Sequence, residues 1–241
     1  MIELKNLTKV YGGKVKAVDN ITLDIIPGEI FGFLGPNGAG KTTAIKMITG
    51  ITEKDSGSIV VNGIDIDENP LGLKREFGFV SDSPDMFLRL KGLEYLNFMA
   101  DIYDVEESLR KDRIRDLSKR FAMEDALLDR ISSYSHGMRQ KIIIMGALIH
   151  DPNVWILDEP MTGLDPKSSF YLKEMMREHA DKNNIVFFST HVLEVAEKIC
   201  DRIGIINKGK LVFVGTMEEL KKSAKENESL ENIFLEMTQD E

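Results

Sequence analysis

The segment GPNGAGKT at residues 35–42 constrains the fold of this chain more than any other stretch. It follows IFGFL at residues 30–34, a continuous apolar run that is typical of a buried strand. It precedes a predicted helix from about Lys41 to Thr49, which Gly50 ends. The spacing G-x-x-x-x-G-K-[ST] between a strand and a helix is typical of a loop whose backbone N–H groups surround phosphates. We therefore predict a phosphate-binding loop in an α/β fold.

Two side chains of this loop have chemistry of their own. Lys41 is expected to reach the β- and γ-phosphates of a nucleotide, and the Thr42 hydroxyl is expected to complete a Mg²⁺ shell. A glycine-rich turn that matches the spacing by accident is the competing interpretation, and the strand and helix on either side argue against it. The predicted nucleotide-binding residues of the loop are Gly35, Pro36, Asn37, Gly38, Ala39, Gly40, Lys41, Thr42 and Thr43.

Two further apolar strands are followed by polar side chains. The segment VWILDEP at residues 154–160 ends in Asp158, which is placed to hold Mg²⁺ through water, and Glu159, which is placed to polarise an attacking water. His191 follows the apolar segment IVFFST at residues 185–190. Ligands bind beyond the carboxyl ends of parallel strands, so we expect these side chains to face the same crevice as the loop. On their own they are equally typical of solvated acids and of an ordinary histidine at a helix start.

These residues leave a kinase, a GTPase and an ATPase open. A GTPase needs an Asn/Thr-Lys-x-Asp segment that reads the base, and none follows at a suitable place. A small-molecule kinase needs an arginine-rich lid, and one stretch of the chain supplies candidates. These are Arg110, Arg113, Arg115 and Arg120.

The order of predicted elements describes the architecture. The first third alternates apolar and polar residues around turns, which is typical of an antiparallel meander. A charged, helical insert of about residues 84–150 follows, and then strands alternate with helices, which indicates a parallel α/β core. Residues 228–237 form a predicted amphipathic helix that should pack on another surface. We divide the chain into one domain at 1–220 and a tail at 221–241.

Composition excludes several classes of function. A net charge of −9 argues against nucleic acid as a partner. With 4 histidines and 1 cysteine, neither a zinc site of the usual kind nor a disulfide framework is expected. No apolar run reaches the ~18 residues of a membrane span and no signal peptide opens the sequence, so we expect a cytoplasmic chain that reaches a membrane only through another protein.

The segment YSHGMRQK at residues 134–141 resembles the signature L-S-G-G-Q of ABC ATPases, and its position between the insert and ILDEP is that of the family. The segments 35–43 and 154–159 resemble the family's phosphate loop and magnesium strand. GLDP at 163–166 is similar to its interface loop, and His191 to its switch histidine. The resemblance covers nearly the whole chain. It implies a P-loop ATPase core with a mixed, largely parallel sheet, an N-terminal antiparallel β-subdomain and an inserted helical subdomain.

The resemblance also implies how the sites are shared. Family members dimerise head to tail, so that each ATP lies between the phosphate loop of one subunit and the signature of the other. Ser135 and Gly137 would then bind the γ-phosphate of the partner's ATP, and Tyr11 would stack on adenine. His136 and Met138 depart from the family's signature. Asp82 stands where the family has glutamine or glutamate near Mg²⁺, and its shorter side chain is expected to reach the metal through water.

The function implied is that of an ATP-binding and hydrolysing subunit, which dimerises on Mg-ATP as a homodimer or as a heterodimer with a second ABC ATPase. The short single cassette and its ending resemble export-type members that drive a separate integral membrane subunit from the cytoplasmic face of the cell membrane. A cytosolic ABC ATPase that powers assembly or repair is the alternative. The sequence of the cassette does not encode the substrate.

Overall fold

The computed structural model describes residues 1–222 and 230–238, in which strands and helices alternate as the sequence indicates. The strands are β1 (Ile2–Tyr11), β2 (Val15–Ile25), β3 (Ile30–Leu34), β4 (Ser56–Val61), β5 (Ile64–Asp65), β6 (Phe77–Val80), β7 (Val154–Asp158), β8 (Ile185–Thr190), β9 (Arg202–Asn207) and β10 (Lys210–Gly215). The helices are α1 (Lys41–Ile48), α2 (Pro70–Arg75), α3 (Gly92–Ile102), α4 (Glu107–Phe121), α5 (His136–Leu148), α6 (Pro166–Asp181), α7 (Leu193–Ile199), α8 (Met217–Lys222) and α9 (Leu230–Thr238).

The strands form two sheets. The first is a 4-stranded antiparallel sheet in the order β2-β1-β4-β5, and the second is a 6-stranded sheet in the order β10-β9-β3-β8-β7-β6. All pairs of the second sheet are parallel except the β9–β10 hairpin. The predicted mixed sheet, antiparallel β-subdomain and helical insert are therefore confirmed. The order β3-β8-β7 brings the carboxyl ends of the three strands that carry the candidate site residues to one edge.

Strand β2 begins at Val15, whereas the alternation of apolar and polar residues that is typical of a strand is clear only over residues 20–26. The pairing of β1 with β2 shifts register at three places, between Leu4 and Leu7, Leu7 and Lys9, and Lys9 and Val10. Each register shift changes which face of the sheet the following side chains occupy. The regular alternation of apolar and polar residues along the strand is therefore lost at these places. The sequence pattern therefore did not predict the first part of β2.

The helical insert packs α3, α4 and α5 on β6 and β7. Tyr95 of α3, Phe121 of α4 and Ile142 of α5 join one core with Trp155 and Leu157 of β7. Only three residues of the 15-residue helix α4 are buried, because most of its side chains are charged. The insert therefore rests on the sheet through a narrow apolar seam at α4.

Helix α9 packs on β9 and α7. Its apolar side chains Leu230, Ile233, Phe234 and Met237 join Ile203 and Ile205 in a small core, as the spacing in the tail predicts. Residues 228 and 229, with which the predicted helix began, lie outside the described residues. The division of the chain at residue 220 stays a prediction. Within residues 1–222 and 230–238, no helix has the length and apolar character needed to cross a bilayer.

Candidate nucleotide-binding site

The glycine-rich loop between β3 and α1 has a backbone that requires glycine. Gly40, directly before α1, has a φ of 111°, and a Cβ there would clash with the carbonyl oxygen of Ala17. Gly38 has a φ of 82° and borders open space. These left-handed conformations turn successive N–H groups to one side, beside the N-terminus of α1. The loop is therefore a cradle for an anion.

Lys41 lies at the centre of this loop and is only 6% exposed. Its Nζ donates to the carbonyl oxygen of Gly35 at 2.7 Å and to that of Pro36 at 3.3 Å. The same Nζ lies 3.5 Å from Oε1 of Glu159. A buried ammonium group is thus fixed by loop carbonyls on one side and faces a carboxylate on the other.

Asp158, the last residue of β7, is 1% exposed. It accepts hydrogen bonds from the hydroxyls of Ser189 and Thr42. Burial raises the pKa of the Asp158 carboxyl, the two hydroxyls oppose this, and the charges of Asp82 and Glu159 raise the pKa further. Carboxylate and hydroxyl oxygens are the hard ligands that Mg²⁺ prefers, so the pair of Asp158 and Thr42 fits that ion.

Glu159 follows β7 and contacts Lys41 at the start of α1 and His191 after β8. Its Oε2 lies 3.0 Å from Nδ1 of His191, and its Oε1 faces Lys41. Its backbone has a φ of 49°, a left-handed conformation uncommon for glutamate, and its N–H donates to Ser189 Oγ at 3.0 Å. The structure therefore brings Lys41, Glu159 and His191 together in one row beside the phosphate loop.

Ser189 is a residue that the sequence reasoning missed. This fully buried serine of β8 donates to Asp158 and accepts from the backbone of Glu159, so that it fixes both acids. A signal was present, because a serine near the end of an apolar strand has to find a hydrogen-bond partner. Strand order, which the sequence leaves open, decides that the partner is the neighbouring β7.

Two predicted residues lie at the edges of this cluster. Asp82 follows β6, is exposed and accepts from the Ser81 hydroxyl at 3.1 Å, while its charge acts on the buried Asp158. Tyr11 ends β1 and is 46% exposed, with Lys9 Nζ 5.7 Å from its ring centre. Its ring is therefore available to stack on a flat ligand.

Ser135 and Gly137 lie at the start of α5. Ser135 is the N-cap, and its Oγ accepts from the N–H of Met138 at 3.3 Å. Gly137 lies so close to the Gly163 carbonyl that a Cβ would come within 2.7 Å of that oxygen. Among the hydrogen bonds and ion pairs of the described residues, none joins this helix start to the phosphate loop. One chain therefore has two separate helix N-termini, those of α1 and α5, that are suited to bind an anion.

A phosphate loop, an acid pair at the end of β7 and an inserted helical subdomain define a P-loop ATPase cassette. The family model described as ABC transporter matches residues 18–162, and the chain belongs to this family. It is an ATP-binding ABC ATPase.

The relatives agree with this assignment. The ABC transporter ATP-binding protein NatA of Bacillus subtilis is 37% identical over 98% of this chain and 97% of its own length. The daunorubicin/doxorubicin resistance ATP-binding protein DrrA of Streptomyces peucetius is 34% identical over 94% of this chain and 68% of its own.

Solved structures show the same fold. An ATP-binding subunit of an ABC transporter superposes with a TM-score of 0.93 at 31% identity, over 99% of this chain and 100% of that one. A dimeric bacterial ABC transporter cassette superposes with a TM-score of 0.82 at 25% identity, over 90% and 99%.

Proposed function

We propose that Lys41, Glu159 and His191 form the catalytic row of this ATPase. In that row Lys41 binds the β- and γ-phosphates, Glu159 polarises the attacking water and His191 contacts the γ-phosphate while it orients Glu159. The observation that carries the proposal is the contact of Glu159 with both partners, at 3.5 Å from Lys41 Nζ and 3.0 Å from His191 Nδ1. Three groups that follow three neighbouring strands therefore lie close enough together to act on one phosphate.

Around this row, the rest of the loop and the metal ligands complete the ATP site. The backbone N–H groups of residues 35–43 hold the phosphates, and Tyr11 stacks on adenine. Thr42 and Asp158 would hold Mg²⁺, and Asp82 would reach it through water. The ion, when bound, offsets the negative charge that develops on the phosphate oxygens.

A second cassette completes each site. Ser135 and Gly137 bind the γ-phosphate on the phosphate loop of the partner, which accounts for two helix starts suited to anions that no hydrogen bond or ion pair joins within the described part of one chain. The dimeric cassette among the structural relatives supports this arrangement. The partner is a second copy of this chain or a second ABC ATPase.

The dimer drives an integral membrane subunit from the cytoplasmic face of the cell membrane, in the direction of export. The name of the resistance protein DrrA supports export, because resistance to a drug is gained when the drug is removed from the cell. Purification from solubilised membranes tests this part. We expect an integral membrane chain in fixed proportion, whereas recovery of the ATPase alone from the soluble fraction favours assembly or repair without a membrane partner.

The variant Glu159→Gln tests the catalytic row and the dimer together. It removes the carboxylate that polarises water but keeps Asp158 and Lys41, so ATP should bind, turnover should nearly stop and the ATP-bound dimer should accumulate. Light scattering with ATP measures the mass. The control is Glu53→Gln, which removes the same charge from an exposed residue without an ion-pair partner among the described residues. Normal turnover in Glu159→Gln would contradict the role of Glu159, and a monomer at saturating ATP would contradict homodimerisation.

A further inference from the structure

The C-terminal helix α9 lies beside the segment that contains His191. We call residues 191–194 the His191 segment. A cavity of about 350 Å³ lies between this segment and α9. Among the described residues, its lining comes from the His191 segment on one side and from Glu231, Phe234 and Leu235 of α9 on the other. The tail helix is therefore one wall of a cavity whose opposite wall contains a residue of the proposed catalytic row.

The His191 segment is fixed at its two ends by different contacts. Before it, Thr190 ends β8, and its Oγ1 accepts from the N–H of Val192 at 3.1 Å. After His191, Leu193 begins α7 and packs in the small core to which α9 contributes. Val192 is the N-cap of α7 and has no polar side-chain atom that could cap the helix. The position of His191 therefore depends on how firmly Leu193 is packed.

Helix α7 lies between two cores. Val195 and Ile199 pack on the large core that the insert shares with the sheet, whereas Leu193 and Ala196 join the small core of α9. The members of each pair are four or three residues apart, so each pair lies on one face of the helix. Helix α9 thus covers the face of α7 that begins with Leu193, while the other face stays anchored on the large core.

The wall that α9 forms is itself anchored on the sheet. Ile233 is 4% exposed and packs with Ile203 and Ile205 of β9. Near the other end of the helix, Asn207 Nδ2 donates to the carbonyl oxygen of Met237 at 3.4 Å. These contacts do not involve the His191 segment, so α9 is a fixed support for the segment that it faces.

We propose that Phe234 is a positioning residue for His191. Phe234 lines the cavity and shares the small core with Leu193, so it supports the start of α7 from the side of α9. That support keeps His191 Nδ1 at 3.0 Å from Oε2 of Glu159. This role of Phe234 rests on the proposed function, because Phe234 acts through His191. Among the described contacts of Lys41, none involves α9, so a change at Phe234 should affect turnover and not the binding of ATP.

Steady-state ATPase kinetics of the full chain measure this role. Phe234→Ala should lower kcat about fivefold and leave KM for ATP unchanged, because a misplaced catalytic group slows the chemical step while the phosphate loop stays intact. The loss is partial because Val195 and Ile199 still hold α7 on the large core. Phe234→Leu keeps a large apolar side chain at this position and should restore kcat to within about twofold of the unchanged chain.

Met237→Ala is the matched control. Met237 is another partly buried residue of α9 in the same small core, but it does not line the cavity. Its carbonyl oxygen still accepts from Asn207 in the variant, because that atom belongs to the backbone. Met237→Ala should therefore loosen the small core without changing kcat. Equal kcat values in Phe234→Ala and Met237→Ala, or a loss that appears in KM alone, would overturn the positioning role. If Phe234→Ala fails to fold, Phe234→Val takes its place in every comparison.

The double variant of His191 and Phe234 shows whether one residue acts through the other. In a chain that carries His191→Ala, Phe234→Ala should change the rate no further, because the residue that it positions is already absent. Single-turnover hydrolysis with the chain in excess over ATP measures these slow variants. A further fall of the same size as in the unchanged chain would overturn the positioning role alone. An unchanged rate in His191→Ala itself would contradict the proposed catalytic row, and the positioning role with it.

Discussion

Replacing Ser189 with alanine removes one hydroxyl that serves two groups at the catalytic edge. The Ser189 Oγ donates to the buried carboxylate of Asp158 and accepts from the Glu159 N–H at 3.0 Å. Alanine fits the space, so the change tests the hydrogen bonds and not the packing.

The expected loss follows from these two contacts. A hydrogen bond to a charged group contributes about 1.5–3 kcal/mol, and a buried N–H left without a partner costs about 1–3 kcal/mol. Thr42 still donates to Asp158, and this limits the first contribution. We therefore expect Ser189→Ala to lower the free energy of unfolding by about 3 kcal/mol. Because Glu159 has a φ of 49° and loses the bond that fixes its backbone, kcat should fall more than tenfold, with a smaller change in KM.

Denaturant unfolding of the nucleotide-free chain and steady-state ATPase kinetics measure the two effects. Ser118→Ala is the matched control, because Ser118 is also buried but donates only to the carbonyl of Arg115 within its own helix. Ser118→Ala should lower the free energy of unfolding by less than about 1 kcal/mol and should leave kcat unchanged. Equal losses of stability in the two variants, or an unchanged kcat in Ser189→Ala, would refute the role assigned to Ser189.

Three further outcomes are expected. Gly40→Ala, which meets the Ala17 carbonyl at a φ of 111°, should abolish ATP binding measured by calorimetry, whereas normal affinity would contradict the loop geometry. Tyr11→Ala should weaken the binding of ATP by about 1–3 kcal/mol, the contribution of one base–aromatic stack, but should not weaken the binding of inorganic triphosphate. Equal losses for the two ligands would contradict the stacking of Tyr11 on adenine. Burial lowers the pKa of His150 and of His179 to about 4. Between pH 6.5 and 4 the unfolded chain therefore binds protons that the folded chain does not. The free energy of unfolding should consequently fall by about 2–3 kcal/mol per histidine on acidification through this range. His150→Phe, which keeps the stack on Tyr103, should make this fall smaller in urea titrations at several pH values; an unchanged fall would contradict it.

Local patterns predicted the parts of this structure in which sequence neighbours act together. The phosphate loop and the apolar strands that end at Asp158 and before His191 are each contained within a short segment. The tail helix followed in the same way from the spacing of its apolar residues. Such segments can be predicted from the sequence because the periodicity of a strand or a helix is a local property.

Features that depend on strand order and on register were not predictable in this way. Ser189 acts on Asp158 only because β8 lies beside β7, and β2 escaped detection where its pairing with β1 shifts register. Helix α2 was also missed, although Asn69 accepts from the Gly72 N–H at 2.8 Å and Pro70 occupies the first turn. Its six residues were too few for a helical period to be recognised beside the preceding turn.

The central claim is that each ATP lies between the phosphate loop of one chain and Ser135 of another, and cross-linking tests it most directly. The exposed residues Ser135 and Asn37 are changed to cysteine in differently tagged chains that carry Glu159→Gln, and a short bifunctional thiol reagent is added with Mg-ATP. Cys200, the single native cysteine, is largely buried, and this burial raises the pKa of its thiol, so it should not interfere. We predict an ATP-dependent link between the two tags, and a chain that carries both cysteines should link to a second chain. A link formed within one chain, at the mass of a monomer, would contradict the shared site.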